Sequence, residues 1–99
     1  MFGEKLKELR ETNGLVQRQV AAELEVDTAY VSKMENNEKP VSRSHLKKLA
    51  LLFNVQEEEL LTFWLADKVI DLVKDEEVAL KAVQVAEEDL KMTKRKKDK

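Results

Sequence analysis

Residues 17–36 read QRQVAAELEVDTAYVSKMEN, and their pattern decides how the rest of the chain is interpreted. Val20, Ala21 and Leu24 recur at helical spacing, which predicts a helix over residues 17–25. Asp27 suits the N-cap of a second helix, because its carboxylate can accept the free amides of the following turn. That helix is predicted over residues 28–36, with Val31 and Met34 turned inward. Asn36-Asn37 ends it, and Lys39-Pro40 marks a loop. Ala21 is small where the second helix must cross close to the first, and Val26 belongs beneath the short turn between them. The side chains at the start of the second helix, Thr28, Ala29, Ser32 and Lys33, are small or polar. Such a face is exposed rather than packed.

The flanking sequence extends the helical pattern in both directions. Phe2, Leu6 and Leu9 share one face of a first helix over about residues 3–12, and Asn13-Gly14 stops it. Ser42 or Ser44 caps a fourth helix carrying Leu46, Leu49, Ala50, Leu52 and Phe53, and Asn54 closes it. Gln56 or Glu57 opens a long fifth helix whose acidic first turn complements the helix dipole. It runs through Leu60, Leu61, Trp64, Leu65, Val69, Leu72 and Val73 to about Lys74. Asp75 is expected to cap a sixth helix reaching about Met92, with Ala79, Val83, Ala86 and Leu90 as its apolar stripe. The closing TKRKKDK has no apolar residue and is expected to be disordered. The expected fold class is all-α, in three parts: residues 1–58, a helical extension over 59–92, and a basic tail over 93–99.

Composition narrows the function. The 99 residues include two Gly, one Pro and no Cys, which favours helix and leaves neither a disulfide framework nor a thiol nucleophile. No apolar run approaches the ~20 residues of a membrane span. Charges in MFGEKLKELR stand where a signal peptide needs an apolar stretch, so a cytoplasmic location is expected. Net charge is −2, but its distribution is uneven. Residues 1–55 carry nine Lys/Arg against eight Asp/Glu, residues 56–92 four against eleven, and residues 93–99 five against one. The acid is concentrated in one block, which frees the first half to present a basic face.

The segment from Leu6 to about Leu60 resembles the phage Cro and repressor type of helix-turn-helix, the xenobiotic-response-element family. The resemblance rests on Gln17, Ala21, the run Val31-Ser32-Lys33-Met34-Glu35, and Pro40. It departs from the family pattern at three places. Val16 replaces a Ser or Thr cap, Glu25 replaces the turn Gly and so must either bear a left-handed backbone cost or adjust the turn, and Asn37 replaces a Gly. The resemblance implies a five-helix lambda-repressor-like domain, here with an extended fifth helix and an additional C-terminal helix.

It also implies roles. Thr28, Ala29, Ser32 and Lys33 would meet base edges in the major groove, Lys33 at guanine and the methyls of Thr28 and Ala29 at thymine. Gln17, Tyr30, Asn36, Lys39 and Arg43 would hold backbone phosphates. Arg10 and Glu35 would form a structural ion pair that orients Arg10 toward phosphate. The long fifth helix and the sixth hold more apolar surface than a small domain covers alone. Leu61, Trp64, Leu65, Val69 and Leu72 are therefore expected at a homodimer interface.

These residues point to a transcriptional regulator binding double-stranded DNA as a homodimer on a palindromic operator, as repressor or autoregulator. No enzyme activity, small-molecule substrate, membrane partner, cofactor or metal is expected. A second reading is an antitoxin or restriction-modification-associated module whose last helices bind a partner protein. His45, the one histidine, is taken as a helix-surface residue, and without a second His or a Cys it does not suggest zinc. Glu57–Glu59 and Asp75–Glu77 point around a helix rather than at one ion, so they are taken as solvated capping acids. Phe63 and Trp64 belong either to core or dimer packing or to a ligand pocket. The basic tail either solubilises the chain or grips phosphate.

Overall fold

A computed structural model describes the backbone of residues 1–97 and the side chains of residues 1–94. The described elements are α1 (Phe2–Thr12), α2 (Gln17–Leu24), α3 (Thr28–Glu35), a 3-10 turn (Arg43–His45), α4 (Leu46–Phe53), α5 (Glu57–Val73) and α6 (Ala79–Lys97). The described residues contain no strand, and the fold is all-α. The chain divides into two compact units, Met1–Asp67 and Lys68–Lys99.

The first unit holds the core. Phe2 and Leu6 of α1, Val20, Ala21 and Leu24 of α2, and Val31 and Met34 of α3 are buried with Leu46, Leu49, Ala50 and Phe53 of α4. Val41 joins them from the loop, and Leu60 is sealed in from the start of α5. Leu60, with Leu61, Phe63 and Trp64 packed against the same core, carries this unit past residue 58. The first turns of α5 complete the core instead of beginning an extension. Glycine is required at Gly3, where a Cβ would stand 2.5 Å from the carbonyl oxygens of both Met34 and Glu35. Those are backbone atoms of α3 and its end, so no side-chain adjustment could make room.

Helix ends follow local chemistry, with exceptions. Glu25 and Asn54 close α2 and α4 in the left-handed conformation, at φ 58° and 60°. Val16 has no side chain able to cap α2. Instead Gln19 Oε1 accepts from the Val16 backbone N–H at 2.8 Å, the reciprocal half of a capping box. Asp27 occupies the N-cap position of α3, but its carboxylate makes no capping hydrogen bond. Ser42 accepts from Ser44 N–H and so caps the 3-10 turn that leads into α4.

In the second unit, turns at residues 74–75 and 77–78 intervene after α5, and α6 starts at Ala79. Asp75 therefore does not cap it. α6 is helical through Lys97, and residues 98 and 99 of the basic tail lie outside the described ones. Among the side chains described in α6, none is buried.

Candidate nucleic-acid interface

The crossing of α2 and α3 is set by small and apolar residues. Ala21 is buried at the contact, and the Val26 N–H donates to Ala21 O at 3.0 Å, so the turn folds back tightly against α2. Val31 and Met34, both about 1% exposed, fasten α3 to the core. Because a helix repeats every 3.6 residues, anchoring positions 31 and 34 leaves 28, 29, 32 and 33 on the other side. Thr28, Ala29 and Lys33 are exposed and Ser32 is half-buried, and all four lie on that one face.

A buried polar cluster holds α3 at this angle. Arg10 of α1 donates from Nε to Glu35 Oε2 at 2.6 Å and from Nη2 to Oε1 at 3.1 Å. Its Nη1 donates to Leu15 O at 2.9 Å. Gln17 of α2 adds its Nε2 to Glu35 Oε1 at 3.0 Å. The bond to Glu35 raises the Arg10 pKa further above its already high ordinary value, so the guanidinium is charged at any working pH. The side chains of Arg10 and Glu35 are only 11% and 4% exposed. Arg10 is thus turned inward and ties α1 to α3 and to the loop before α2; it is not presented to a phosphate as expected.

The other expected phosphate contacts divide into two groups. Asn36, Lys39 and Arg43 are exposed around the end of α3 and the following loop. Arg43 lies over the Trp64 ring, 6.0 Å from its centroid, which restricts a long side chain without neutralising it. Lys33 and Lys39 take part in no ion pair among the described residues. Gln17 and Tyr30 are partly engaged elsewhere. Gln17 Nε2 carries two hydrogens, and one goes to Glu35. The Tyr30 hydroxyl donates to Pro40 O at 3.3 Å, so meeting a phosphate requires that bond to open.

Two residues take structural roles that the sequence reading had not given them. Gln19 closes the start of α2, and its spacing of three from Val16 was the available signal. Asn37 holds the start of α1: its Oδ1 accepts from Gly3 N–H at 2.9 Å and its Nδ2 donates to Glu4. Nothing local in the sequence shows that bond, since its partners are 33 and 34 residues away.

The expected dimer residues divide as well. Trp64 donates from Nε1 to Val41 O at 2.7 Å, and it packs with Leu61 and Phe63 against the chain's own core. Leu61 and Trp64 therefore contribute to the packing of the first unit. Leu65, Val69 and Leu72 are exposed. His45 is half-buried in the 3-10 turn rather than on a helix surface. Among the described residues no group of His, Asp or Glu side chains gathers to hold a metal, and no helix is long and apolar enough to cross a membrane.

No curated protein and no solved structure matches this chain. A family model described as helix-turn-helix matches residues 6–60, more than half of its length. That match spans the crossing of α2 and α3, the Arg10–Glu35 pair and the outward face of α3, and the chain belongs to the helix-turn-helix family of the xenobiotic-response-element type, DNA-binding transcriptional regulators.

Proposed function

We propose that α3 enters the major groove of double-stranded DNA and that the protein acts in the cytoplasm as a homodimer on a palindromic operator, repressing a promoter, its own included. One observation carries this reading. Thr28, Ala29, Ser32 and Lys33 share the outward face of α3, while Arg10, Gln17 and Glu35 fix that helix from behind. Lys33 supplies a donor for guanine O6 or N7, and the methyls of Thr28 and Ala29 suit the thymine methyl. Phosphates are met by Asn36, Lys39 and Arg43, by the second hydrogen of Gln17 Nε2, and by Tyr30 once its hydroxyl leaves Pro40. These contacts supply affinity and register, and base contacts supply choice of sequence. Two such helices, one per copy, read half-sites about one helical turn apart.

The test begins with selection of bound duplexes from a random pool, followed by titration of point variants against the selected site. Lys33→Ala is expected to relax sequence preference at one position, by about 1–3 kcal/mol of discrimination. Arg43→Ala is expected to weaken all duplexes alike and to lower the salt dependence of binding. Equal binding of every duplex by the native protein, at moderate salt, would remove the assignment of α3 as a sequence reader.

A further inference from the structure

The second unit carries an apolar stripe whose pattern matches itself in only one direction. Ala79, Val83, Ala86 and Leu90 follow one another at steps of four, three and four along α6, the spacing of a two-helix seam. Val83 and Leu90 are exposed, as is Ala86. We infer that this stripe pairs with the α6 stripe of a second copy of the chain, with the two helices antiparallel. The inference rests only on the dimeric part of the function proposed above.

Two observations select that partner and that direction. The first is volume. When the two stripes run antiparallel about an axis between Gln84 and Val85, Ala79 faces Leu90 of the second copy and Val83 faces its Ala86. Each layer then holds one small and one large side chain, which lets the layers interdigitate at even spacing. Parallel stripes would set Leu90 on Leu90 and Ala86 on Ala86, alternately crowding and emptying the seam.

The second is charge. The turn before α6 is Asp75-Glu76-Glu77, and the far end of α6 carries Lys91 and Lys94, all exposed. Antiparallel pairing brings Lys91 and Lys94 of each copy to the acidic turn of the other. Parallel pairing would put acid on acid and base on base, and like charges set side by side repel. Lys91 also pairs with Glu88 of its own helix at 3.6 Å. That contact is exposed and weak enough for Lys91 to exchange partners.

The chain contains no cysteine, so single cysteines can report direction in the full-length protein. The native chain is expected to show twice the 11.5 kDa mass of one chain by sedimentation, falling on dilution. Val83→Lys and, separately, Ala86→Glu are expected to shift it to the single-chain mass, with the thermal unfolding of the first unit unchanged. Under mild oxidation, a mixture of the Ala79→Cys and Leu90→Cys proteins should cross-link as the mixed pair. A single-chain mass for the native protein at every concentration, a dimeric mass for both variants, or Ala79→Cys linked to itself would each overturn the inference. Gel shifts keep the two proposals apart. Val83→Lys should bind a duplex with two half-sites at least ~10-fold more weakly while keeping its affinity for one half-site. Loss of sequence choice with the dimer intact would fault the reading of α3 and leave the α6 seam standing.

Discussion

Met1–Asp67 and Lys68–Lys99 are both rich in apolar residues, yet they use them differently. In the first region apolar side chains from five helices close over one another, and thirteen hydrophobic residues are buried. In the second, Leu72, Leu80 and Val85 are each 70% or more exposed. Apolar content alone therefore does not make a core. Burial needs helices that cross, and crossing needs small residues such as Ala21 and short turns such as the one at Glu25–Val26. The second region has the end of one helix and the whole of another, so its apolar side chains stay largely exposed. Polar bonds follow the same division. The first region is held by long-range bonds such as Arg10–Glu35 and Trp64–Val41, whereas two ion pairs of the second, Lys74–Asp71 and Lys91–Glu88, are local and exposed.

The largest expected break in that contrast comes from the buried pair. Glu35→Ala leaves the Arg10 guanidinium and the Gln17 amide without their shared acceptor in a largely covered site. A buried charge that loses its partner costs about 3–5 kcal/mol. Removing both ends, as Arg10→Met with Glu35→Leu, should recover most of that loss. Asp71→Ala in the second region removes an exposed pair and should change stability by less than ~0.5 kcal/mol. Urea unfolding of the three proteins checks all of this; a Glu35→Ala loss no larger than that of Asp71→Ala would erase the distinction between the regions.

Truncating apolar side chains sharpens the same contrast by a slightly smaller amount. Leu49 is 0% exposed at the centre of the first unit. Leu49→Ala should cost about 2–5 kcal/mol, the lost transfer energy plus a cavity. Val85 is 70% exposed and lies off the α6 stripe, so Val85→Ala should leave the denaturation midpoint within ~0.5 kcal/mol of native.

The difference between regions also explains what the amino-acid sequence reveals and what it hides. In the first unit helix ends fell within a residue or two of their expected places, because Asn13-Gly14, Glu25, Asn36-Asn37 and Asn54 act on their own backbone. The outward face of α3 was legible for the same reason, since positions 31 and 34 fix it by periodicity alone. Partners across the fold were not legible. Trp64 looks like any exposed apolar residue on a long helix until Val41 O is found beside it. The inward turn of Arg10 depends on Leu15 O and Gln17 as well as on Glu35. At Asp75 the local rule misled: an acidic residue suits a cap, but two turns intervene before α6 begins at Ala79.

Glu25 allows a smaller test in the opposite direction. It adopts φ 58°, ψ 44° without a glycine's freedom, a conformation that costs an L-residue roughly 1–2 kcal/mol. Its carboxylate contributes only an exposed contact to Lys48 at 3.7 Å. Glycine has more conformational freedom to lose on folding, which offsets part of the gain. Glu25→Gly is therefore expected to stabilise the first unit by about 1 kcal/mol, visible as a higher thermal midpoint. A lower midpoint would mean that the Glu25–Lys48 pair matters more than the backbone does.

The smallest effect lies at the edge of the first region, where even an exposed carboxylate is held by a distant residue. Glu4 titrates below its ordinary 4.5, chiefly because the Asn37 side-chain amide donates to it, with its own backbone N–H and the terminal ammonium assisting. A carboxyl lowered in the folded state contributes stability that is fully present above its unfolded value. That contribution is lost as pH falls through the folded value. Asn37→Gly suits this test because Asn37 sits at φ 62°, which glycine adopts freely, so the amide is removed without new backbone strain. The Glu4 carboxyl, followed by carbon-detected resonance through an acid titration, should then move up toward its ordinary range. The Gly3 amide should exchange faster, having lost Asn37 Oδ1 as its acceptor. An unmoved Glu4 titration would show that the terminal ammonium, 3.3 Å from its carboxylate, holds the charge alone. The tie between the start of α1 and the end of α3 would then be the hydrogen bonds that Asn37 Oδ1 accepts from Gly3 and the terminal ammonium, and the first region would be stitched less tightly at this edge than at Arg10.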